Sequence, residues 1–311
     1  MADALHHERA NATFDVTEMT HFIHGGKEKA ERRAEIHRIV DSDPVFSKAD
    51  RHFLERRDLY KRALEKSAHL FKRTRELNLN EEDGWTFFAA LDEELPVGLH
   101  HVMFMPAIQG QASEEQQAAW LPLAQSYKMI GCYAQTELGH GSNVQGLETT
   151  ATYDARTEEF VIHSPTLTST KWWPGGLGKT STHTILYARL ITQGRDFGIH
   201  AFLVQLRSLE DHMPLPGITV GDIGTKFGIG AYNTNDNGFL RFEHVRIPRG
   251  NMLMKYAQLT RDGAYKPSPN SKLAYGAMVF VRASIVSGAG RSLARAVTIA
   301  TRYSAVRRQF G

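Results

Sequence analysis

The chain has 311 residues, of which 41% are hydrophobic and 23% are charged, and its formal net charge is +3. This composition is typical of a folded protein of two or three domains with a sizeable apolar core. The charge is too small to indicate a nucleic-acid partner, and the single cysteine, Cys132, excludes an internal disulfide and indicates a reducing setting.

The first 130 residues are predicted to form a helical domain, and the N-terminus lacks the apolar stretch of a secretory signal. Residues 51–75 carry paired charges, and apolar side chains recur among them at the spacing of an amphipathic helix. The residues of this apolar face are Leu54, Tyr60, Leu64 and Phe71. Ser113 and Gln116 have the spacing of a capping box, which predicts that a helix begins there.

Residues 131–270 are predicted to form a β domain. Residues 149–153 and 159–163 are β-branched and aromatic runs joined by a short polar turn, which predicts a hairpin. Further strands are predicted at 184–190, 199–206, 218–223 and 238–247. Because no helical pattern separates these runs, we expect an antiparallel sheet or small barrel.

Residues 271–311 are predicted to begin a helical bundle, which completes an α+β multidomain fold. The helix at 272–310 is rich in alanine and glycine, which is typical of close helix packing. Arginines interrupt it, so no uncharged run reaches the length of roughly 18 residues that a membrane span needs. One helix cannot bury its apolar face alone, and we expect the bundle to continue beyond Gly311.

Two nucleotide-binding motifs are excluded by spacing. Residues 178–180 end like a P-loop, but Trp173 stands where that motif requires its first glycine. Gly139 and Gly141 begin like a dinucleotide fingerprint, but Val144 stands at the position of the third glycine.

No metal site is predicted. His100 and His101 lie in an apolar run without an accompanying cluster of carboxylates or thiols. We therefore interpret both as histidines at the edge of the core.

The segment 135–143, here called the glycine loop, combines glycines with the hydroxyls of Thr136 and Ser142. Backbone N–H groups and hydroxyls aimed at a ring carbonyl can stabilise a heterocycle that gains negative charge, as a reduced flavin does. Alternatively, the glycines serve a purely structural cluster of turns. The composition of the loop leaves both interpretations open.

The segment 171–179, here called the tryptophan segment, contains Trp172 and Trp173 in succession. In a strand, consecutive side chains face opposite sides, so one indole can enter the core while the other meets a ligand. An indole on a flat ring contributes about 0.5–1.5 kcal/mol beyond its burial. Two core tryptophans are the alternative. Asn237 and Gly238 either approach a substrate or form a plain turn before a strand.

Four stretches resemble the peroxisomal acyl-CoA oxidases of the acyl-CoA dehydrogenase superfamily: residues 132–153, 171–179, 216–224 and 303–310. The match runs from about Phe14 onward and covers about the first half of a typical member. The resemblance implies a helical N-terminal domain (1–130), an antiparallel β-barrel middle domain (131–270) and the first helix of a C-terminal bundle (271–311). It also implies FAD as cofactor, a homodimer and a peroxisomal location.

The resemblance also implies which residues contact FAD. They are Gln135, Thr136, Gly141, Ser142, Trp173, Gly175 and Arg307. Thr136 matches a threonine beside the flavin ring, and Trp173 matches the ring-stacking tryptophan of the dehydrogenases. Arg307 matches an arginine that reaches the FAD pyrophosphate of a neighbouring subunit, a contact that suits a guanidinium.

Gly175 stands where the related dehydrogenases carry a hydroxyl that meets flavin N5. We hypothesise that the glycine removes a donor, opens volume and lets dioxygen reach the reduced flavin. A threonine at position 175 tests this idea through oxygen reactivity.

The reaction implied by the resemblance is α,β-dehydrogenation of a fatty acyl-CoA, with dioxygen reduced to hydrogen peroxide. The base is a glutamate expected beyond Gly311, so no catalytic residue is assigned in this chain. Glu137 adjoins Thr136, but its position in the family indicates that it structures the loop. Two alternatives remain: a truncated, non-catalytic flavin- or acyl-CoA-binding form that partners a longer subunit, and an acyl-CoA dehydrogenase.

Overall fold

The computed structural model of the chain describes residues 2–226, 232–269 and 276–309. Contacts between residues divide the chain into two compact units. Unit 1 consists of Met1–Ser47, Leu70–Asp92 and Val279–Gly311, and unit 2 consists of Lys48–His69 and Glu93–Met278.

Most helices precede the strands, as predicted. The helices are α1 (Ala2–Ala10), α2 (Val16–Ile23), α3 (Lys27–Ser42), α4 (Arg56–Glu76), α5 (Glu81–Ala90), a π-helix (His100–Phe104), α6 (Met105–Gln111), α7 (Glu114–Gln125) and α8 (Gly276–Val306). Short 3-10 turns lie at Pro44–Phe46, Val144–Gly146 and Arg249–Asn251. The predicted capping box is present: the Ser113 hydroxyl accepts from Gln116 N, and the Gln116 side chain accepts from Ser113 N.

Unit 1 is held by apolar packing between α3, α5 and the turn between α3 and α4. Ile36 and Phe87 are fully buried, and the rings of Phe46 and Phe87 meet edge to face at 5.7 Å. Arg32 of α3 donates to Asp83 of α5 over 2.8 and 3.0 Å. The apolar contacts hold the two helices together, and the ion pair fixes their register.

The strands of unit 2 form three sheets. They are β1 (Gly131–Ala134), β2 (Thr150–Asp154), β3 (Glu159–His163), β4 (Lys171–Trp172), β5 (His183–Thr192), β6 (Arg195–Gln205), β7 (Ile218–Asp222), β8 (Gly238–Phe242), β9 (Val245–Pro248), β10 (Gln258–Leu259) and β11 (Tyr265–Lys266). The main sheet has the order β1-β5-β2-β3-β9, with β6 also paired to β5. The orders β4-β8-β7 and β10-β11 describe the other two sheets.

The predicted fold class is confirmed, with two differences in the sheet. First, β1 and β2 both run parallel to β5 and pair with successive parts of it. After β1 the chain turns away from the sheet through the glycine loop and comes back to it as β2. No crossover helix joins the parallel strands, so the sequence contains no pattern that would predict their pairing. Second, β6 and β9 are not paired with each other in the described residues, so the main sheet is a half-barrel rather than a closed barrel.

The predicted strand at 238–247 is two strands. β8 pairs with β7 and β4, whereas β9 pairs with β3 of the main sheet. The chain changes sheets at a turn in which His244 adopts a φ of +48°. A single apolar run therefore serves two sheets.

Strand β5 is buried on both faces over most of its length, which explains why it is nearly continuous in apolar residues. Leu186 and Ala188 point into one core cluster, while Ile185 and Tyr187 point into a second cluster with Phe104. The second cluster is formed with residues of the π-helix, α6 and α7.

His100 packs against this second cluster and is 1% exposed, so it lies inside the core and not at its edge, where it was predicted. Its Nδ1 accepts from Gly131 N at 3.0 Å, and its Nε2 lies 3.2 Å from Ala124 O. Burial lowers the pKa of His100 to about 3, so the ring is neutral. Both ring nitrogens are occupied by backbone groups. Gly131 is required by packing, because a Cβ there would lie 2.1 Å from Phe104.

The long C-terminal helix, α8, spans 31 residues. Arg295 of this helix donates to Asp92 at 2.5 Å and to Ala89 O at 2.8 Å, within unit 1. None of the helices in the described residues combines the length and apolar character of a membrane span.

Candidate functional site

The glycine loop and the tryptophan segment lie side by side in unit 2. Trp172 N donates to Thr136 O at 3.0 Å, and Leu138 N donates to Thr170 O at 2.7 Å. Gly139 N reaches Thr168 O at 3.0 Å. Two stretches about thirty residues apart in sequence thus form one surface.

A buried ion pair joins the tryptophan segment to the glycine loop. Lys171 Nζ donates to Glu137 Oε1 at 3.0 Å, to Gln135 O at 3.0 Å and to Tyr187 O at 2.7 Å. Both charged side chains are fully buried. All three ammonium hydrogens therefore have acceptors, one of which belongs to the glycine loop itself.

Glu137 uses its remaining acceptor capacity on His140 of the same loop and on two residues that follow the loop in the chain. Its carboxylate accepts from Thr149 Oγ1 at 2.6 Å, from Thr149 N at 3.0 Å and from Glu148 N at 2.8 Å. His140 Nδ1 lies 3.0 Å from its other oxygen. A carboxylate so fully engaged holds the loop closed and is not free to remove a substrate proton.

The pKa values of the pair agree with two charged partners. Burial lowers the pKa of Lys171 to about 8, against the opposing effect of Glu137. For Glu137, burial raises the pKa, but Lys171 and the donors of Thr149 and Glu148 outweigh it and lower the pKa overall.

A third stretch, the turn before β8, completes the support. Trp173 N donates to Gly238 O at 3.0 Å, and Gly238 N donates to Pro174 O at 3.1 Å. The Asp236 carboxylate accepts from Lys179 N at 2.8 Å, and from Thr180 N and its hydroxyl at 2.9 and 2.7 Å. Asp236 is 1% exposed, so these donors replace the water that its carboxylate loses on burial.

Asn237 forms part of this turn. It is fully buried, and its Nδ2 donates to Trp173 O at 2.5 Å. Its Oδ1 accepts from Lys226 Nζ at 2.9 Å. Of the two interpretations of Asn237, these contacts favour the turn.

The upper side of the surface presents polar and aromatic groups. The Thr136 hydroxyl has no hydrogen-bond partner within the part of the chain that the structure describes, and Ser142 is exposed. A Cβ on Gly141 would meet nothing within 4 Å. The Trp173 side chain is 47% exposed.

Trp173 has an unusual backbone. Its φ of +89° lies in the left-handed region, which a bulky residue adopts only at a cost of about 1–3 kcal/mol. The strand β4 ends at Trp172, so alternation along a strand does not set the direction of Trp173. Trp172 stacks on Phe239 at 6.4 Å. The backbone N and O of Trp173 are held by Gly238 and Asn237, and its indole is exposed.

The other sequence-predicted positions have distinct settings. Gln135 is buried, and its side chain accepts from Tyr133 OH at 3.3 Å. Gly175 is buried, and the volume beside it is filled: a Cβ there would lie 2.6 Å from Asn235 Oδ1. Arg307 belongs to unit 1, just past the end of α8, where its side chain is exposed.

The surface in unit 2 fits one face of a flat, polar heterocycle. An exposed indole offers a stacking plane, Gly141 allows close backbone approach, and Thr136 supplies a hydroxyl whose hydrogen-bonding capacity is unused among the described residues. These residues suit the isoalloxazine of FAD.

Sequence profiles of three families match the chain. Residues 15–130 match the acyl-coenzyme A oxidase N-terminal family, residues 132–245 match the acyl-CoA dehydrogenase middle domain, and residues 275–311 match the acyl-CoA oxidase C-alpha1 domain. The chain is therefore similar to acyl-CoA oxidases in its first and last segments and to the wider acyl-CoA dehydrogenase family in its middle segment.

Curated acyl-CoA oxidases are similar over almost the whole chain. Peroxisomal acyl-coenzyme A oxidase 1 of Arabidopsis thaliana is 61% identical over 310 residues, which is 99% of this chain and 47% of that protein. The protein of the same name from Homo sapiens is 50% identical over 308 residues, which is 98% of this chain and 46% of that protein. The chain therefore spans about half the length of the curated acyl-CoA oxidases it matches.

Solved acyl-CoA oxidases have the same fold. Acyl-CoA oxidase 1 of Arabidopsis thaliana superposes with a TM-score of 0.95 at 61% identity, over 99% of this chain and 47% of that one. Acyl-CoA oxidase-2 of Caenorhabditis elegans, solved with FAD, ascaroside-CoA and ATP, gives 0.90 at 43% identity over the same shares. FAD is the cofactor with which members of the family have been solved.

Sequence reasoning missed three residues that shape the site: Lys171, Asp236 and Asn235. Lys171 begins a strand beside two tryptophans and is completely buried. The sequence could have indicated its role only if Lys171 had been considered together with Glu137. Asp236 and Asn235 lie in a polar turn, and their contacts to Lys179, Thr180 and Gly176 join residues far apart in the chain, so the local sequence does not distinguish them.

Proposed function

We propose that the protein is an FAD-dependent acyl-CoA oxidase. It converts a fatty acyl-CoA and dioxygen to trans-2-enoyl-CoA and hydrogen peroxide, the first step of peroxisomal fatty acid β-oxidation. The observation that carries the proposal is the surface formed by the glycine loop and the tryptophan segment, fastened by Glu137 and Lys171 and presenting Thr136 and Trp173. Peroxisomal names among its relatives support the location.

The residues of the site take the following roles in the proposal. Trp173 stacks against the flavin, and the Thr136 hydroxyl donates to its polar edge. The remaining contacts in unit 2 come from Gln135, Gly141, Ser142 and Gly175. When bound, FAD would supply the hydride acceptor for the acyl β-carbon and the route by which the electrons reach dioxygen.

Arg307 is proposed to reach the FAD pyrophosphate of a second subunit, which requires a homodimer. Guanidinium suits this contact because it can bind two phosphate oxygens at once. The catalytic base is proposed to be a glutamate in the half of the related oxidases that this chain does not span. Domains at 1–130, 131–270 and 271–311 remain our proposed division.

Flavin absorbance and peroxide release test the function directly. The protein is produced from its complete reading frame, its visible spectrum is recorded, and palmitoyl-CoA is added in air. Retained flavin with peroxide release supports the oxidase. Loss of FAD on gel filtration contradicts the proposal.

Two other outcomes identify the alternatives. Retained flavin without turnover indicates a non-catalytic flavin- or acyl-CoA-binding form. Bleaching by palmitoyl-CoA that persists in air indicates an acyl-CoA dehydrogenase.

Trp173→Ala is expected to weaken FAD retention by roughly tenfold, since an aromatic stack contributes about 0.5–1.5 kcal/mol beyond burial, and Trp85→Ala in unit 1 is the matched control.

A further inference from the structure

The volume beside Gly175 is occupied by a carboxamide. A Cβ built on Gly175 would lie 2.6 Å from Asn235 Oδ1 and 2.8 Å from Asn235 Nδ2. The φ of Gly175 is outside the left-handed region, so space and not backbone conformation calls for glycine here. The hypothesis of an open volume at position 175 is therefore wrong in this chain.

The neighbouring turn fixes the position of Asn235. Its backbone O accepts from Gly176 N at 2.8 Å, and its backbone N donates to Tyr232 O at 3.1 Å. Its side-chain Nδ2 donates to Asn237 Oδ1 at 3.3 Å, and Asn237 in turn holds Trp173 O. The carboxamide is thus tied to the same turn that supports the exposed indole.

The carboxamide retains unused hydrogen-bonding capacity. An amide offers two N–H donors and one oxygen acceptor, and only one donor is used by Asn237. Asn235 Oδ1 has no donor among the residues that the structure describes. Asn235 is half-buried, so a ligand resting against Gly175 can meet this group.

We propose that Asn235 replaces the side chain that is missing at position 175 and donates a hydrogen bond to the bound flavin ring, stabilising the negative charge that the ring acquires on reduction. The inference rests on the proposed function, because the family resemblance places position 175 beside flavin N5. A donor in a half-buried site acts more strongly on developing charge than one in water.

Sulfite binding measures this role without turnover. Sulfite adds its sulfur electron pair to N5 of oxidised flavin and leaves a negative charge on the ring, which bleaches the visible absorbance. Asn235→Leu is expected to raise the sulfite Kd roughly tenfold, because a hydrogen bond to a charged group is worth about that factor. Asn235→Asp is expected to raise it further, since it adds a negative charge. Asn11→Asp, in unit 1, is the matched control and is expected to leave the Kd unchanged.

A stability cycle tests the steric part without flavin chemistry. Gly175→Ala is expected to lower the Tm of the otherwise unchanged protein, because the new methyl group collides with the carboxamide. In an Asn235→Ala background, the same change is expected to lower the Tm by less than roughly half as much. Additive shifts would show that the two positions do not compete for space.

The outcomes separate this inference from the function on which it rests. If the unaltered protein does not retain FAD, the proposed function fails and the inference fails with it. If FAD is retained but Asn235→Leu and Asn235→Asp bind sulfite as the unaltered protein does, the inference alone is overturned.

Discussion

At the scale of single residues, the buried pair of Glu137 and Lys171 dominates the site. Lys171→Met removes the cation and leaves an unpaired buried carboxylate, which costs about 3–5 kcal/mol of unfolding free energy. Urea unfolding followed by fluorescence measures the loss. Lys128→Met, at an exposed lysine of the same unit, is the control and is expected to change stability by less than about 0.5 kcal/mol.

The double variant Glu137→Gln/Lys171→Met distinguishes pairing from packing. With both charges absent, no unpaired carboxylate remains, so the double variant is expected to be more stable than Lys171→Met alone. If the double variant loses as much as the single variant or more, the cost lies in lost packing and the electrostatic explanation is wrong.

An ion pair that joins two elements and a loop of unit 2 makes the stability of the fold depend on pH in acid. Arg56 of α4 donates to Asp222 of β7 at 2.5 and 2.6 Å, and Lys179 also contacts that carboxylate. Burial raises the pKa of Asp222, but the hydrogen bonds from Lys179 and Arg56 outweigh it and hold the pKa at about 2, below its ordinary 3.8.

The sign of the pH effect follows from this lowered pKa. The unfolded chain takes up the proton first as the pH falls, so the contribution of Asp222 is complete above about pH 4 and is lost as the pH falls through about 2. Relative to Asp222→Asn, the unaltered protein is expected to be more stable by about 2 kcal/mol near neutral pH. Urea titrations at several pH values should show this gap shrinking in acid; a gap independent of pH contradicts the assignment.

At the scale of elements, Gln116 connects the start of α7 to the segment after β9. Beyond its capping contact, its Nε2 donates to Gly250 O at 2.7 Å and Met252 O at 2.6 Å, and its Oε1 accepts from Met254 N at 3.1 Å. Ser113→Ala is expected to cost about 1 kcal/mol as a lost cap.

Gln116→Ala is expected to cost more, by about 1–3 kcal/mol, because it also leaves backbone groups of the 250–254 segment without partners. Chemical denaturation of the two variants gives the comparison. Equal losses would mean that the contacts to residues 250–254 add nothing to stability.

The residue types in the sequence predicted the elements and the chemistry of the site, but they did not predict the contacts that assemble it. The hairpin of β2 and β3 and the cap at Ser113 are local patterns, and both were predicted from the sequence. The pairing of Glu137 with Lys171, and of Gly175 with Asn235, joins residues far apart in the chain. Such contacts depend on which strands become neighbours, and the spacing of apolar residues along the sequence does not predict this.

At the scale of the whole molecule, α8 leaves large apolar side chains in contact with solvent. Its exposed apolar residues are Ile285, Val286, Leu293, Val297, Ile299, Tyr303 and Val306. An apolar surface of this kind favours association. We expect the 311-residue chain, expressed alone, to associate as its concentration rises.

Sedimentation velocity over a range of concentrations tests this expectation. Ile285→Glu together with Leu293→Glu is expected to reduce association, because two charges interrupt the apolar face. Ser304→Glu, on the same helix at an exposed polar position, is the control. A chain that stays monomeric at every concentration, with no effect of the substitutions, would show that α8 does not drive association.

The attachment of β1 and β2 to a single later strand has a consequence for biosynthesis. β1 precedes the glycine loop and β2 follows it, and both pair with β5, which comes later in the chain. β5 is itself paired along its length with β6. A ribosome adds about 5–20 residues per second, so the loop spends some seconds as a nascent segment without its anchoring partner. The pairing of β1 and β2 with β5 must therefore wait until β5 has left the exit tunnel.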